Sequence, residues 1–260
     1  MSAETVLAKA AFGDDPGRWP LPAAVTPHQL WLRAVAAGGQ GRYASARVDL
    51  AELLRATGPE RALAHSTEAS FLRQLGWHAR ARRWDGRALA LAGSDVDAAA
   101  DALIGLAADA LGVGRFTAAA RALDRASDLM PDSPPQRLRV RLCWVSAELA
   151  MARGEGADAV GHAQDAVDAA ADLGSVRHEV KSSVVLAAAR CSAGDLDGAR
   201  ATADAALDET QRFGMVPLQW ALACLLADIG SIKHPAQDMM ALRDACADTV
   251  RRRGGVWSVR

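Results

Sequence analysis

GVGRFTAAARALDRASDLMP, Gly112 to Pro131, decides the fold. It has a turn glycine at Gly114, an aromatic two residues later at Phe116, alanines spaced along one helix face, and a closing proline. The stretch is either a helix with an ordinary start and stop or one copy of a repeated unit. The first reading directs attention to an active site, the second to a surface. Aligning the chain on Gly114 finds GRYASA at Gly41, GWHARA at Gly76, GEGADA at Gly154, GDLDGA at Gly194 and GSIKHP at Gly230. Successive glycines are 35, 38, 40, 40 and 36 residues apart, and self-similarity at such a period is the mark of a repeat array.

The wider pattern supports the unit. Seven residues before the glycine all six copies have alanine: Ala34, Ala69, Ala107, Ala147, Ala187 and Ala223. Five residues after it stand Ala46, Ala81, Ala119, Ala159 and Ala199, with Pro235 in the sixth copy. Twelve after it stand Leu53, Ala88, Ala126, Ala166, Ala206 and Leu242. Small residues at fixed places let two antiparallel helices approach closely. In the third copy, Phe116 and Ala119 are expected on that packing seam. Each unit therefore reads as helix, tight turn, helix. The predicted helices run near 27–38, 42–57, 60–75, 78–92, 95–112, 116–130, 134–153, 157–173, 175–193, 196–213, 217–229 and 235–253, which makes six hairpins.

Punctuation agrees with these limits. Thr26-Pro-His-Gln29 forms a capping box with proline at the first helical position, and Gly93-Ser94 ends one helix and caps the next. Pro131 closes a helix, and Pro134 begins another after Ser133. Residues 1–25 stand outside the scheme as an N-terminal cap and loop, with AETVLAKAAF as a short helix on the first hairpin. Residues 26–253 form one helical repeat domain, and 254–260 read as a frayed tail.

Composition bounds the rest. Of 260 residues 50% are apolar, yet 5% are aromatic and roughly a fifth are alanine, which favours closely packed helices over strands. A net charge of -1 gives no bulk reason to expect nucleic acid or an anionic membrane. The N-terminal residues lack a basic n-region before an apolar stretch, so no secretory signal is expected. The longest apolar run, residues 215–230, is too short to span a bilayer and reads as a buried helix. Cys143, Cys191, Cys224 and Cys246 lie far apart with no CxxC spacing, which fits a reducing, cytoplasmic setting and argues against zinc.

At GRYASA (41–46) and GRFTAAARALDRASDLMP (114–131) the sequence resembles the tetratricopeptide repeat, a helix-turn-helix unit. The resemblance spans roughly residues 27–253. It departs from the usual 34-residue period, from the family's regular aromatic in the first helix, and from its mid-helix glycine, which is alanine here. Units of this length also resemble the helical sensor domains of large bacterial transcription activators. The resemblance implies an all-α, right-handed α-solenoid of about six antiparallel hairpins with a period of 35 to 40, whose first helices line a concave groove.

The family's inward positions correspond to those 13, 10, 6 and 3 residues before each turn glycine. They give Arg141, Trp144, Glu148 and Met151 in the fourth hairpin, Leu63, Ser66, Ser70 and Arg73 in the second, and Lys181, Val184, Ala188 and Cys191 in the fifth. Trp31, Trp144 and Trp220 share one place in hairpins one, four and six. The expected groove residues are Trp31, Ser70, Arg73, Arg141, Trp144, Glu148 and Lys181. They would hold a peptide through apolar anchors and charge-assisted bonds to its carboxylates. The competing reading is that the tryptophans fill gaps between hairpins while the charges are solvated.

No chemistry competes with a surface. GEGADAVG at 154–161 lacks a following GK[ST], DLDG at 195–198 lacks the other ligands of a calcium loop, and both read as turns. The six histidines form no HExxH and no i, i+4 pair, so they read as single residues on helix surfaces. No GxSxG is present. The basic runs HARARRW (78–84) and RLRVRL (137–142) raise nucleic acid as a partner, but the balanced charge favours solvated faces. The expectation is a cytoplasmic protein–protein interaction scaffold or adaptor, without enzymatic activity, cofactor, metal or membrane contact, and compatible with a homodimer. The alternative is a regulatory sensor that binds a small molecule or signalling peptide and acts on a transcription or secretion partner.

Overall fold

The computed structural model describes residues 1–131 and 134–258, and among them thirteen α-helices and no strand. A short helix, α1 (Ala3–Phe12), precedes six helix pairs. The pairs are α2 (Pro27–Gly39) with α3 (Tyr43–Leu53), α4 (Pro59–Gln74) with α5 (His78–Leu91), and α6 (Val96–Gly112) with α7 (Phe116–Leu129). They continue with α8 (Gln136–Arg153) and α9 (Gly156–Leu173), α10 (Val176–Ser192) and α11 (Leu196–Arg212), α12 (Val216–Ile229) and α13 (Ala236–Arg252). Each helix packs on the next in sequence. The first helices of successive pairs, α2, α4, α6, α8, α10 and α12, also pack side by side and form one layer.

One turn chemistry serves five of the six pairs. Gly41, Gly76, Gly114, Gly154 and Gly194 have φ between +72° and +87°, a region that glycine enters without the penalty of a Cβ. In each case the amide after the glycine donates to the carbonyl five residues back: Arg42 to Ala37, Trp77 to Leu72, Arg115 to Ala110, Glu155 to Ala150 and Asp195 to Arg190. That bond ties the chain after the turn to a carbonyl in the last turn of the ending helix. The sixth turn differs. There Asp204 on α11 accepts from Ser231 Oγ (2.6 Å) and from the Ile232 amide (2.8 Å).

The small residues lie where close approach needs them. All six alanines seven residues before the glycines are fully buried, as are all five alanines that follow. Phe116, expected on the seam, is 36% exposed instead, because it opens α7 on the outer side of its hairpin while Ala119 one turn later takes the seam.

Three caps depart from the sequence reading. Thr26 Oγ1 accepts from the Gln29 amide (3.2 Å), but Gln29 Oε1 reaches back to Val25 N rather than to Thr26. Asp95, not Ser94, caps α6, accepting from Ala98 N at 3.0 Å. α8 starts at Gln136 with Pro135 at its cap, and Ser133 lies outside the described residues.

The two terminal segments tie distant parts of the array together. α1 packs on α2 and also on α10, and Val176 N donates to Gly13 O, so this helix bridges the first and fifth hairpins instead of capping the first alone. The predicted frayed tail is docked over Gly254–Ser258. Trp257 packs on Trp220 with centroids 4.5 Å apart, Trp77 Nε1 donates to Val256 O (2.6 Å), and Ser258 N donates to Leu75 O (2.8 Å). Ala44 N further donates to Arg253 O, so the last hairpin meets the first. Two apolar rings and several backbone partners outweigh the fraying that short polar termini usually show.

Candidate functional site

The inner stripe of the first-helix layer is unevenly covered. In the first hairpin Trp31, Val35 and Gly38 are buried and His28 is exposed, and in the second Ser66 is buried while Leu63, Ser70 and Arg73 are half-buried. In α8, α10 and α12 the matching stripes are only half-buried: Arg141, Trp144, Glu148 and Met151, then Lys181, Val184, Ala188 and Cys191, then Trp220 and Cys224. Steps of three and four residues hold each stripe on one helix face.

Around α8 and α10 the side chains converge. Phe12 at the end of α1 lies 5.3 Å from the Trp31 ring and 6.0 Å from His178, and His178 stacks on Trp144 at 5.3 Å and 17°. Trp144 donates from Nε1 to Ser182 Oγ (2.8 Å), which donates on to Ala166 O (3.0 Å). Lys181 sits 5.7 Å from the Trp144 centroid and 3.3 Å from Glu148 Oε1. Trp31 donates from Nε1 to Thr67 Oγ1 (3.1 Å) beneath Phe12, which fits the gap-filling reading for this tryptophan. Trp31 thus lies on Phe12 and Trp144 on His178, with Lys181 and then Glu148 beyond Trp144, while Arg141 bonds Asp101. Ser70 does not join them: its hydroxyl donates to Thr67 O within its own helix.

Two charged clusters adjoin this aromatic run. Arg73 bonds Asp85 and Asp109, both fully buried, and a Cβ on Gly105 would collide with the Asp85 carboxylate. Burial pushes the carboxyls of Asp85 and Asp109 up while the Arg73 guanidinium opposes it, and these acids in turn raise Arg73 against its own burial. In the second cluster Arg137 (2.9 Å) and Arg141 share a single oxygen of buried Asp101. Burial disfavours the Asp101 charge, but the two arginines outweigh it and hold its carboxyl below the ordinary value.

Arg177 completes the second cluster without an acid of its own. It stands in the first turn of α10, partly buried, with its guanidinium carbon 5.8 Å from the Phe12 centroid; Arg137 lies 5.9 Å from the same ring. Burial, and then Arg137 and Arg141, push it down to about 10. His178 is held well below its usual value by burial and by Arg177, Arg137 and Arg141, so it is neutral at physiological pH.

With this geometry, the sequence matches no protein-family model and no curated protein. Phe12, Arg137, Arg177 and His178 were missed as site residues. The i, i+4 spacing of Arg137 and Arg141 in RLRVRL was their one visible signal, whereas nothing local placed Phe12 beside α10. The buried His178 and His65 correct the reading of histidines as surface residues. Ser175 Oγ lies 2.9 Å from His178 Nδ1, but both are buried within the first turn of α10, which makes the pair part of the helix start. Among the described residues no group of three or more His, Cys, Asp or Glu converges as a metal would require, and no helix is long and apolar enough to cross a membrane. The outer face of α5 carries exposed Arg80, Arg82, Arg83 and Arg87, with Arg80 stacked 3.9 Å over Trp77.

Proposed function

We propose that this chain is a non-catalytic binding module: a right-handed, tetratricopeptide-like solenoid with a period of 35 to 40, working in the cytoplasm on a protein or peptide partner. The observation that carries the reading is the half-buried stripe shared by two adjacent helices, Arg141, Trp144, Glu148 and Met151 on α8 beside Lys181, Val184, Ala188 and Cys191 on α10. Trp144 supplies an apolar anchor there, and Lys181 and Glu148 supply charge at its rim. Four free thiols are compatible with a reducing compartment.

The test is affinity capture from the native cell with the wild-type chain and with Trp144→Ala plus Lys181→Glu. Arg141 is left intact because a carboxylate in its place would face buried Asp101. A partner bound by the wild type and lost by a variant with an unchanged circular dichroism melt is the expected result. Retention of the partner overturns the docking face.

A second reading has its own observation. Arg177, a partly buried cation beside Arg137 and Phe12 with no paired acid among the described residues, favours a sensor module that takes up a small anionic molecule and passes the event to a transcription or secretion partner.

A further inference from the structure

Three guanidiniums and one carboxylate occupy the junction of α6, α8 and α10. Asp101 is shared by Arg137 and Arg141 through one oxygen, which leaves this junction with two uncompensated positive charges. Arg177 stands in the first turn of α10, at the positive end of that helix's dipole, while its side chain meets the negative C-terminal end of α2 at Gly39, so the two dipoles oppose each other there. The charges acting on it are those of Arg137 and Arg141, both repulsive. A partly buried cation with no paired acid among the described residues keeps donors free for an anion.

The surroundings describe what would complete it. Arg137 and Arg177 hold their guanidinium carbons at nearly equal distances from the Phe12 ring, 5.9 and 5.8 Å, so two forks of N–H donors border the same ring. Gly39 at the end of α2 closes the far side, where an added Cβ would lie 3.1 Å from Arg177 Cδ. Flanked by Phe12 and the end of α2, these arginines suit a compact group better than a length of polypeptide. An excess of two charges and several donors matches a dianion with several acceptor oxygens, and one more carboxylate would offset only half of it.

We propose that Arg137, Arg141 and Arg177, beside Phe12, form a binding site for the phosphate monoester group of a small molecule. This rests on the sensor reading above and supplies its ligand class. Phe12 belongs to α1, and α1 bridges the first and fifth hairpins, so occupancy of the site would stiffen the contact between those two hairpins.

The experiment uses the full chain at pH 8 in low salt, with methyl phosphate as probe; its second ionisation, near pH 6, is then complete. Calorimetric titration and thermal unfolding are run against sodium chloride at equal ionic strength and against hexaglutamate. Expected are saturable binding of methyl phosphate, a melting temperature that rises with its concentration but not with chloride, and at least a tenfold loss of affinity in Arg177→Gln. Arg125→Gln, on the outer helix α7, should bind as the wild type does. Neutralising Arg177 breaks no ion pair, so the variant is expected to fold, and Arg177→Lys, which keeps charge but loses the planar fork, should bind with intermediate affinity.

Absence of saturable methyl phosphate binding, or equal affinity in Arg177→Gln, overturns the proposal. So does tighter binding of hexaglutamate at the same residues, which would give the site to an acidic peptide. Running partner capture with the same variants separates the two ideas. A partner lost only in the Trp144/Lys181 variant, with no phosphate binding in any chain, leaves the docking face standing and removes the anion site.

Discussion

Twelve positions defined by distance from a glycine carry much of the packing, and eleven of them are alanines with no accessible surface. A buried alanine at a helix crossing has no room to grow. Ala147→Trp should therefore cost about 1 to 3 kcal/mol by overpacking, read as a lower denaturation midpoint at unchanged slope; a neutral result would mean that α8 and α9 are not as close as described. This layer of the fold was legible because spacing and side-chain size are properties of sequence. The state of His65 was not. It is 7% exposed against Trp84, and burial, with Arg61 and Arg87, lowers it from 6.5 to about 4. The unfolded chain takes up the proton near 6.5 and the folded one only near 4, so stability is complete above that window and falls as the pH drops through it. Between pH 7 and pH 5 His65 should remove about 2 kcal/mol, a loss that urea titrations would show shrinking in His65→Gln. Persistence of the full loss in that variant would assign it elsewhere, with buried His178 the next candidate.

Helix limits followed from caps and breakers, and eleven of the twelve predicted helices start and end within a residue or two of those observed, α3 alone ending earlier than expected at Leu53. The errors fall where neighbouring polar residues compete for one role. Ser94 and Asp95 both qualify as caps of α6, and the carboxylate of Asp95 has the bond. Asp95→Ala should destabilise the protein by about 1 kcal/mol, and Ser94→Ala by much less, in the same unfolding measurement. α1 was foreseen as a helix but not as a bridge. Its ten residues look like any short amphipathic start, and the partner that gives them meaning, α10, lies more than 160 residues away. Deleting residues 1–12 should expose Trp31 to water, shift tryptophan emission to longer wavelength and lower the melting temperature. An unchanged spectrum would show that Phe12 does not shield that ring.

Closure of the array depends on few bonds. The tail from Gly254 to Ser258 joins the sixth hairpin to the first two through Trp257, Val256 O and Ser258 N, and Arg253 O receives the Ala44 amide. A stacked array is otherwise stabilised by nearest neighbours alone, so contact between its ends adds a long-range term that couples first and last units. Trp257→Ala should leave helix content unchanged while raising the hydrogen-exchange rate of the Ala44 amide and of α13 severalfold. Exchange that stays at the wild-type rate would place the closing strength in Arg253 and Arg47, which bond Gln40 O and Gly254 O, instead of in the ring pair.

The sequence by itself determined the local grammar: where helices begin, where glycine turns them, and which alanines let paired helices touch. These depend on residues at most about forty positions apart, within reach of a pattern. It also pointed to Trp144, Arg141, Glu148 and Lys181, because one stripe on two adjacent helices is a periodic feature. Only the tertiary structure decided that α1 and the tail bind across the array, that Trp31 is buried while Trp144 is half-buried, and that Arg177 joins Arg137 and Arg141 with one acid between them. Those facts arise when helices distant in sequence meet, and charge balance and burial are set by the whole set of neighbours. No run of residues carries that set.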